Sequence, residues 1–184
     1  MKSPASVEHD DRVRLFCALT LPDCVLDGVV EWQEHLEGGR FRLVPRDNLH
    51  LTLAFLGHRS AEDVEPVRAS LEAAAGEAET IVLHAEHYRE TSSVGMVVFE
   101  DEGDAAARLA GDLHQRLRRL GVYEPEQRPW LPHLTVARFR QRPRLSPRMP
   151  ELGAVSPSGA AVYHSLLRPT GAQYAVLHAV GLGG

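Results

Sequence analysis

The sequence predicts an α+β fold, mainly antiparallel sheet with helices packed outside it. Three observations lead there. The chain has 184 residues, 43% hydrophobic and 24% charged, which is an ordinary globular balance with length enough for a sizeable core. Several predicted strands adjoin directly instead of alternating with helices, which favours antiparallel pairing. One short strand-like segment occurs twice, which suggests two similar lobes facing each other across a pseudo-twofold axis.

The elements follow from local pattern. Residues 1–12 are polar and charged and read as a disordered tail, leaving 13–184 as a single domain. Arg14 to Leu21 is an apolar run that reads as a buried strand. Pro22 and Asp23 open a helix with Val25, Val29, Trp32 and Leu36 on one face, and Gly38 and Gly39 end it. Phe41 to Val44 suggests a brief strand and Asn48 to Leu56 a clear one. Ser60 and Asp63 form a capping-box pattern. Val64, Val67, Leu71 and Ala75 then mark a second helix. Thr80 to Tyr88 and Val94 to Glu100 read as two strands. Residues 104–120 form a third helix with Leu109, Leu113, Leu117 and Leu120 on one stripe. Leu134 to Phe139 is a further strand. Residues 140–157 hold four prolines and four arginines and read as a long loop. Ala160 to Leu167 and Gln173 to Val180 are the closing strands.

Several classes fall away early. No apolar run approaches the length of a membrane span, and the N-terminus lacks the apolar core of a secretion signal. Cys17 and Cys24 are too few for a disulfide scaffold and match no zinc spacing, so a reduced, cytoplasmic protein is expected. The net charge of −5 excludes binding of phosphate chains by bulk charge but leaves room for a local basic groove. There is no glycine-rich phosphate loop and no serine-hydrolase elbow. His84 and His87 fall on opposite faces of a strand and make no metal pair.

The repeat carries the functional reading. Leu49-His50-Leu51-Thr52-Leu53-Ala54-Phe55 and Pro132-His133-Leu134-Thr135-Val136-Ala137-Arg138 share a His-Leu-Thr-aliphatic-Ala core. Side chains alternate along a strand. His50, Thr52 and Ala54 therefore point one way, and Leu51, Leu53 and Phe55 point into the core. The second copy divides likewise, with His133, Thr135 and Ala137 opposite Leu134 and Val136. An imidazole, a hydroxyl and a methyl make a poor core face and a good site.

Two lobes would bring two imidazoles and two hydroxyls around one cavity. That set suits metal-free hydrolysis of a phosphodiester. One neutral imidazole takes a proton from water, the other gives a proton to the leaving oxygen, and the threonine hydroxyls donate to the phosphate oxygens. Arg138 suits phosphate by chemistry. Strict alternation, however, puts it on the Leu134 face, so its role requires the strand to end or bulge near Ala137.

At these residues the sequence resembles the 2H phosphoesterase superfamily, and within it the LigT-like RNA 2′,3′-cyclic phosphodiesterases, also called 2′-5′ RNA ligases. The resemblance runs from about Arg14 to Val180. Beyond the two motifs it rests on Arg14 to Leu19, Pro45 to Leu49, Arg128-Pro129-Trp130 and the closing segment Ser165 to Tyr174. It implies a bilobal fold with a central cleft and hydrolysis of a terminal 2′,3′-cyclic phosphate on RNA to a 2′-phosphate, without metal or cofactor. By match, His50 is the general acid toward the 3′ oxygen and His133 the base. Thr52, Thr135 and Arg138 hold the phosphate. Phe41 and Trp130 are candidate base contacts. The partner is then RNA or a nucleotide with a cyclic phosphate, and a monomer is expected.

Departures from the family pattern are Leu131, where relatives often carry a basic or polar residue, and the loop from Arg140 to Pro157. The loop arginines read first as solvated, although they suit an RNA backbone. The motifs specify a phosphodiester and not what hangs from it. A 2′,5′-linked oligonucleotide, an ADP-ribose cyclic phosphate, and nucleotide binding with little turnover are the alternatives.

Overall fold

The computed structural model describes residues 12–37, 39–168 and 171–183. The predicted tail lies outside them except for Arg12, which already belongs to the first strand. In order, the elements are β1 (Arg12–Thr20), α1 (Asp23–Glu34), β2 (Arg42–Leu43), β3 (Leu51–Ser60), α2 (Val64–Gly76), β4 (Leu83–Glu90), β5 (Val94–Asp101), α3 (Ala105–Arg119), β6 (His133–Arg138), β7 (Ala154–Val155), β8 (Gly159–Arg168) and β9 (Gly171–Val180).

All strand pairs are antiparallel, and together they form one sheet in the order β7-β4-β5-β6-β3-β1-β8-β9, with β2 added to β6. The order is mirrored about its centre. On each side a motif strand, β3 or β6, pairs with the strand that precedes it by one helix, β1 or β5. The two repeats are therefore β1-α1-β3 and β5-α3-β6. The expected lobes are halves of a single continuous sheet, joined where Leu51 of β3 pairs with Leu134 of β6.

One face of that sheet is the core. Leu15, Leu51 and Leu134 pack in one cluster with Val29 of α1, Leu71 of α2 and Leu113 of α3. Leu15, Leu51, Leu71, Leu113 and Leu134 are fully buried, each stabilising by roughly 1.5–3 kcal/mol relative to exposure. The predicted capping box forms: Ser60 accepts from the Glu62 amide, and the Asp63 carboxylate accepts from the Ser60 amide at 3.1 Å. Asp101, at the end of β5, caps α3 by accepting from the amides of Ala106 and Ala107 at 3.1 and 2.8 Å. None of the described helices is long and apolar enough to cross a membrane.

Several local expectations change. α1 ends at Glu34, so Leu36 is buried from beyond the helix and not on it. Asn48 lies in a short 3-10 turn, Arg46–Asn48, and β3 starts later and runs to Ser60. Leu120 falls past the end of α3 and is 44% exposed, while Leu109, Leu113 and Leu117 keep the stripe. The 140–157 loop contains β7, which pairs with β4 at the sheet edge. Both cysteines are free, and burial pushes the Cys17 thiol up to about 12.

Candidate active site

The Leu51–Leu134 pair sets the site. Counting out from it, His50 lies across from Thr135 and Thr52 across from His133. The two histidines are therefore diagonal neighbours, a relation that sets residues roughly 7–8 Å apart in an antiparallel ladder. The two leucines face the core, so all four polar side chains face the other way. His50, Thr52, His133 and Thr135 line one cavity of about 500 Å³, and Arg138 lines it with them.

Arg138 reaches the cavity because β6 carries a bulge. Met96 of β5 pairs with Thr135 and Gly95 with Ala137, leaving Val136 as an extra residue. One extra residue reverses the alternation beyond it. Ala137 becomes buried and Arg138 turns onto the histidine face. β3 does the same thing at the same place. Ala18 pairs with Thr52 and Cys17 with Ala54, leaving Leu53 extra. Here the sequence reading is corrected. Ala54 belongs to the core, and Phe55 is 49% exposed and lines the cavity. Strict alternation failed because it has no way to register an inserted residue.

Both bulges are held from the helix layer. Gln33 of α1, 3% exposed, donates its amide to the Val136 carbonyl at 2.7 Å and to Val44 O at 3.1 Å. His114 of α3 donates from Nε2 to the Leu53 carbonyl at 2.7 Å. Each helix thus braces the bulge of the other repeat. Neither residue was singled out from the sequence. A glutamine on a buried helical face is a weak signal that a main-chain carbonyl needs a partner.

The two imidazoles are anchored alike. His50 Nδ1 lies 2.8 Å from Asn48 O, and His133 Nδ1 lies 2.8 Å from Leu131 O. A carbonyl only accepts, so Nδ1 carries the proton in both rings and Nε2 is the lone-pair atom of the neutral form. Neither Nε2 has a hydrogen-bond partner among the described residues. Asn48 is itself tied to the far edge of the sheet, donating from Nδ2 to Ala172 O at 2.8 Å.

The rings differ in their surroundings. His50 sits 4.8 Å from the Phe16 ring and 5.3 Å from the Tyr174 ring, with Tyr163 stacked on Phe16. Burial in this aromatic nest pushes the His50 pKa down to about 4, against the Asn48 hydrogen bond, which raises it; Arg138 and His133 lower it further. Phe16, Tyr163 and Tyr174 come from strands remote in sequence, so their convergence on His50 was not visible there.

The cavity is cationic. Arg14, Arg42, Arg138 and Arg168 line it, and no carboxylate is among the described lining residues. Arg14 also donates to Ser165 Oγ at 3.2 Å and lies over the Phe55 ring at 4.8 Å. Among the described residues no cluster of three His, Cys, Asp or Glu side chains is placed to hold a metal ion. The two candidate base contacts line neighbouring pockets. Phe41 lines an adjoining pocket and not the histidine cavity. Trp130 lines a third pocket that shares Thr52 and His133, and its indole donates to Thr52 O at 3.0 Å, bracing the junction of the two halves.

A curled antiparallel sheet with outer helices, whose twin His-x-Thr strands meet in one cavity, has the LigT-like, two-motif architecture. Residues 22–165 match the 2′-5′ RNA ligase superfamily, and the chain belongs to it. It is 33% identical over 185 residues to an RNA 2′,3′-cyclic phosphodiesterase of Thermus thermophilus, covering 94% of this chain and 91% of that one. A second RNA 2′,3′-cyclic phosphodiesterase, from Methanocaldococcus jannaschii, is 21% identical over 173 residues, covering 90% and 98%. Among solved structures, TT0787 of Thermus thermophilus superposes with a TM-score of 0.79 at 33% identity, covering 93% of this chain and 98% of that one. Escherichia coli LigT complexed with 3′-AMP gives 0.77 at 25% identity, covering 94% and 99%.

Proposed function

We propose that this protein hydrolyses the terminal 2′,3′-cyclic phosphate of RNA to a 2′-phosphate, with His50 and His133 as the proton-transfer pair. One observation carries the reading. Two imidazoles, each fixed through Nδ1 to the carbonyl two residues back, line one arginine-rich cavity. The names of the relatives support the substrate class.

In the proposed step, water attacks phosphorus as His133 Nε2 takes its proton. The bond from phosphorus to the 3′ oxygen breaks, and protonated His50 gives its proton to that oxygen. The ring opens to a 2′-phosphate, and proton exchange with solvent restores the pair. Thr52 and Thr135 donate hydroxyl protons to the non-bridging oxygens, and Arg138 balances the charge that builds there. With its pKa near 4, His50 is neutral in the protein alone near neutral pH. It becomes the acid when the substrate's phosphate anion offsets the cost of burying its charge.

The test is incubation with an oligoribonucleotide ending in a 2′,3′-cyclic phosphate, with the product resolved by ³¹P NMR. Conversion to the 2′-phosphate in wild type, lost in His50→Ala and His133→Ala, is the expected result. A 3′-phosphate product, or binding without turnover, overturns the reading.

A further inference from the structure

Beside the histidine cavity lies a second pocket, of about 1000 Å³, lined by Arg40, Phe41, Phe139, Arg140 and Arg142 among others. Arg42 and Arg138 line both, so the pockets are contiguous. The reason is local: Arg42 of β2 pairs with Arg138 of β6, so the segments around them run side by side and bring their arginines together. No carboxylate is among the described lining residues. In a chain of net charge −5 this cluster is a strong local departure.

The outer wall is built, not loose. Glu90, whose side chain is 2% exposed, accepts from Arg142 Nε at 3.0 Å and from the main-chain amides of Arg144 and Leu145 at 3.0 and 2.8 Å. One buried carboxylate thereby holds the start of the arginine- and proline-rich loop against the sheet, and it neutralises Arg142 alone. Arg40 and Arg140 are exposed and have no ion-pair partner among the described residues. Half-buried Phe41 lines the same pocket and adds an aromatic surface to it.

We infer that this second pocket receives the nucleotide preceding the cyclic phosphate, its phosphate at Arg40 and Arg140 and its base against Phe41. The enzyme then selects RNA ends over cyclic mononucleotides. The inference rests on the function proposed above and narrows its substrate class. A polynucleotide leaving the histidine cavity past Arg138 enters this pocket. Guanidinium groups suit its phosphates, and an aromatic face accepts any base.

The experiment compares kcat/KM for 2′,3′-cyclic AMP and for a short oligoribonucleotide with a 2′,3′-cyclic phosphate end, in wild type and in Arg40→Ala/Arg140→Ala. The double variant is expected to lose about tenfold on the oligonucleotide, leave the mononucleotide unchanged, and show a shallower salt dependence. Equal use of both substrates by wild type, or equal effects of the substitutions on both, overturns the inference. A second arm measures anisotropy of a labelled, 3′-phosphorylated oligoribonucleotide. Weaker binding in the double variant supports the pocket, and unchanged binding overturns it even if turnover is absent. Absence of turnover on both substrates with that binding intact counts against the proposed reaction instead.

Discussion

Leu53 and Val136 occupy the same place in the two repeats, and each is the extra residue of a β-bulge. Each also offers its carbonyl to a side chain from the other repeat's helix, His114 for Leu53 and Gln33 for Val136. The bulges bring Phe55 and Arg138, equivalent in sequence, onto the histidine face. One site wall is thus aromatic and the other cationic, although the backbones are alike.

Gln33→Met removes the amide donor at nearly constant volume. The Val136 carbonyl keeps the Val44 amide at 2.9 Å as a partner, so the expected cost is about 1 kcal/mol in urea denaturation. A fall in kcat/KM is expected as well, because Arg138 loses its aim. In an Arg138→Ala background the same substitution should leave kcat/KM unmoved, since the two act through one group. Additive losses would show that Gln33 acts on turnover by a route other than Arg138, and an unmoved kcat/KM in the single variant would show that it serves stability alone.

His50→Ala and His133→Ala should each lower kcat by about 10²–10⁴. The double variant should be little worse than the poorer single one, because the pair acts as a unit. Thermal melting checks that both variants fold. EDTA in the assay should leave wild-type turnover unchanged.

The His50 pKa has a stability consequence with a definite sign. Its folded value of about 4 lies below the ordinary 6.5. Between those values the unfolded chain binds a proton that the folded chain refuses, so stability falls as pH drops through that window. The loss is up to about 3 kcal/mol, and above the ordinary value it vanishes. Urea denaturation across this range should show a steeper acid loss in wild type than in His50→Asn. Sulfate, seated as a phosphate would be, should reduce the wild-type loss.

Gly95→Ala probes the strand that pairs with β6 beside its bulge. A Cβ there would lie 2.0 Å from Tyr88 Oη and 2.8 Å from its Cζ. The ring is rigid, so it must move. A loss of about 1–3 kcal/mol is expected from overpacking, read as a lower melting temperature. A melting temperature equal to wild type would show that Tyr88 finds another seat.

Much of this was legible in the residues. The strand and helix order follows from apolar periodicity, and the capping box at Ser60 and Asp63 from spacing. His50, Thr52, His133 and Thr135 stood out because a five-residue pattern occurs twice. What was not legible depended on pairing. Strict alternation puts Phe55 in the core and makes the role of Arg138 conditional, because alternation along one strand does not reveal how many residues its partner sets opposite.

The sequence by itself determined the antiparallel α+β plan, the twin motifs and the chemistry of their side chains, since periodicity and residue type are local properties. Only the tertiary structure decided that Leu51 meets Leu134, that two bulges turn Phe55 and Arg138 inward, that three aromatic rings desolvate His50, and that Glu90 hooks an arginine-bearing loop beside the cavity. Each of these depends on contacts between segments far apart in the chain, and packing fixes such contacts through the sum of many small burials that no single stretch of sequence carries.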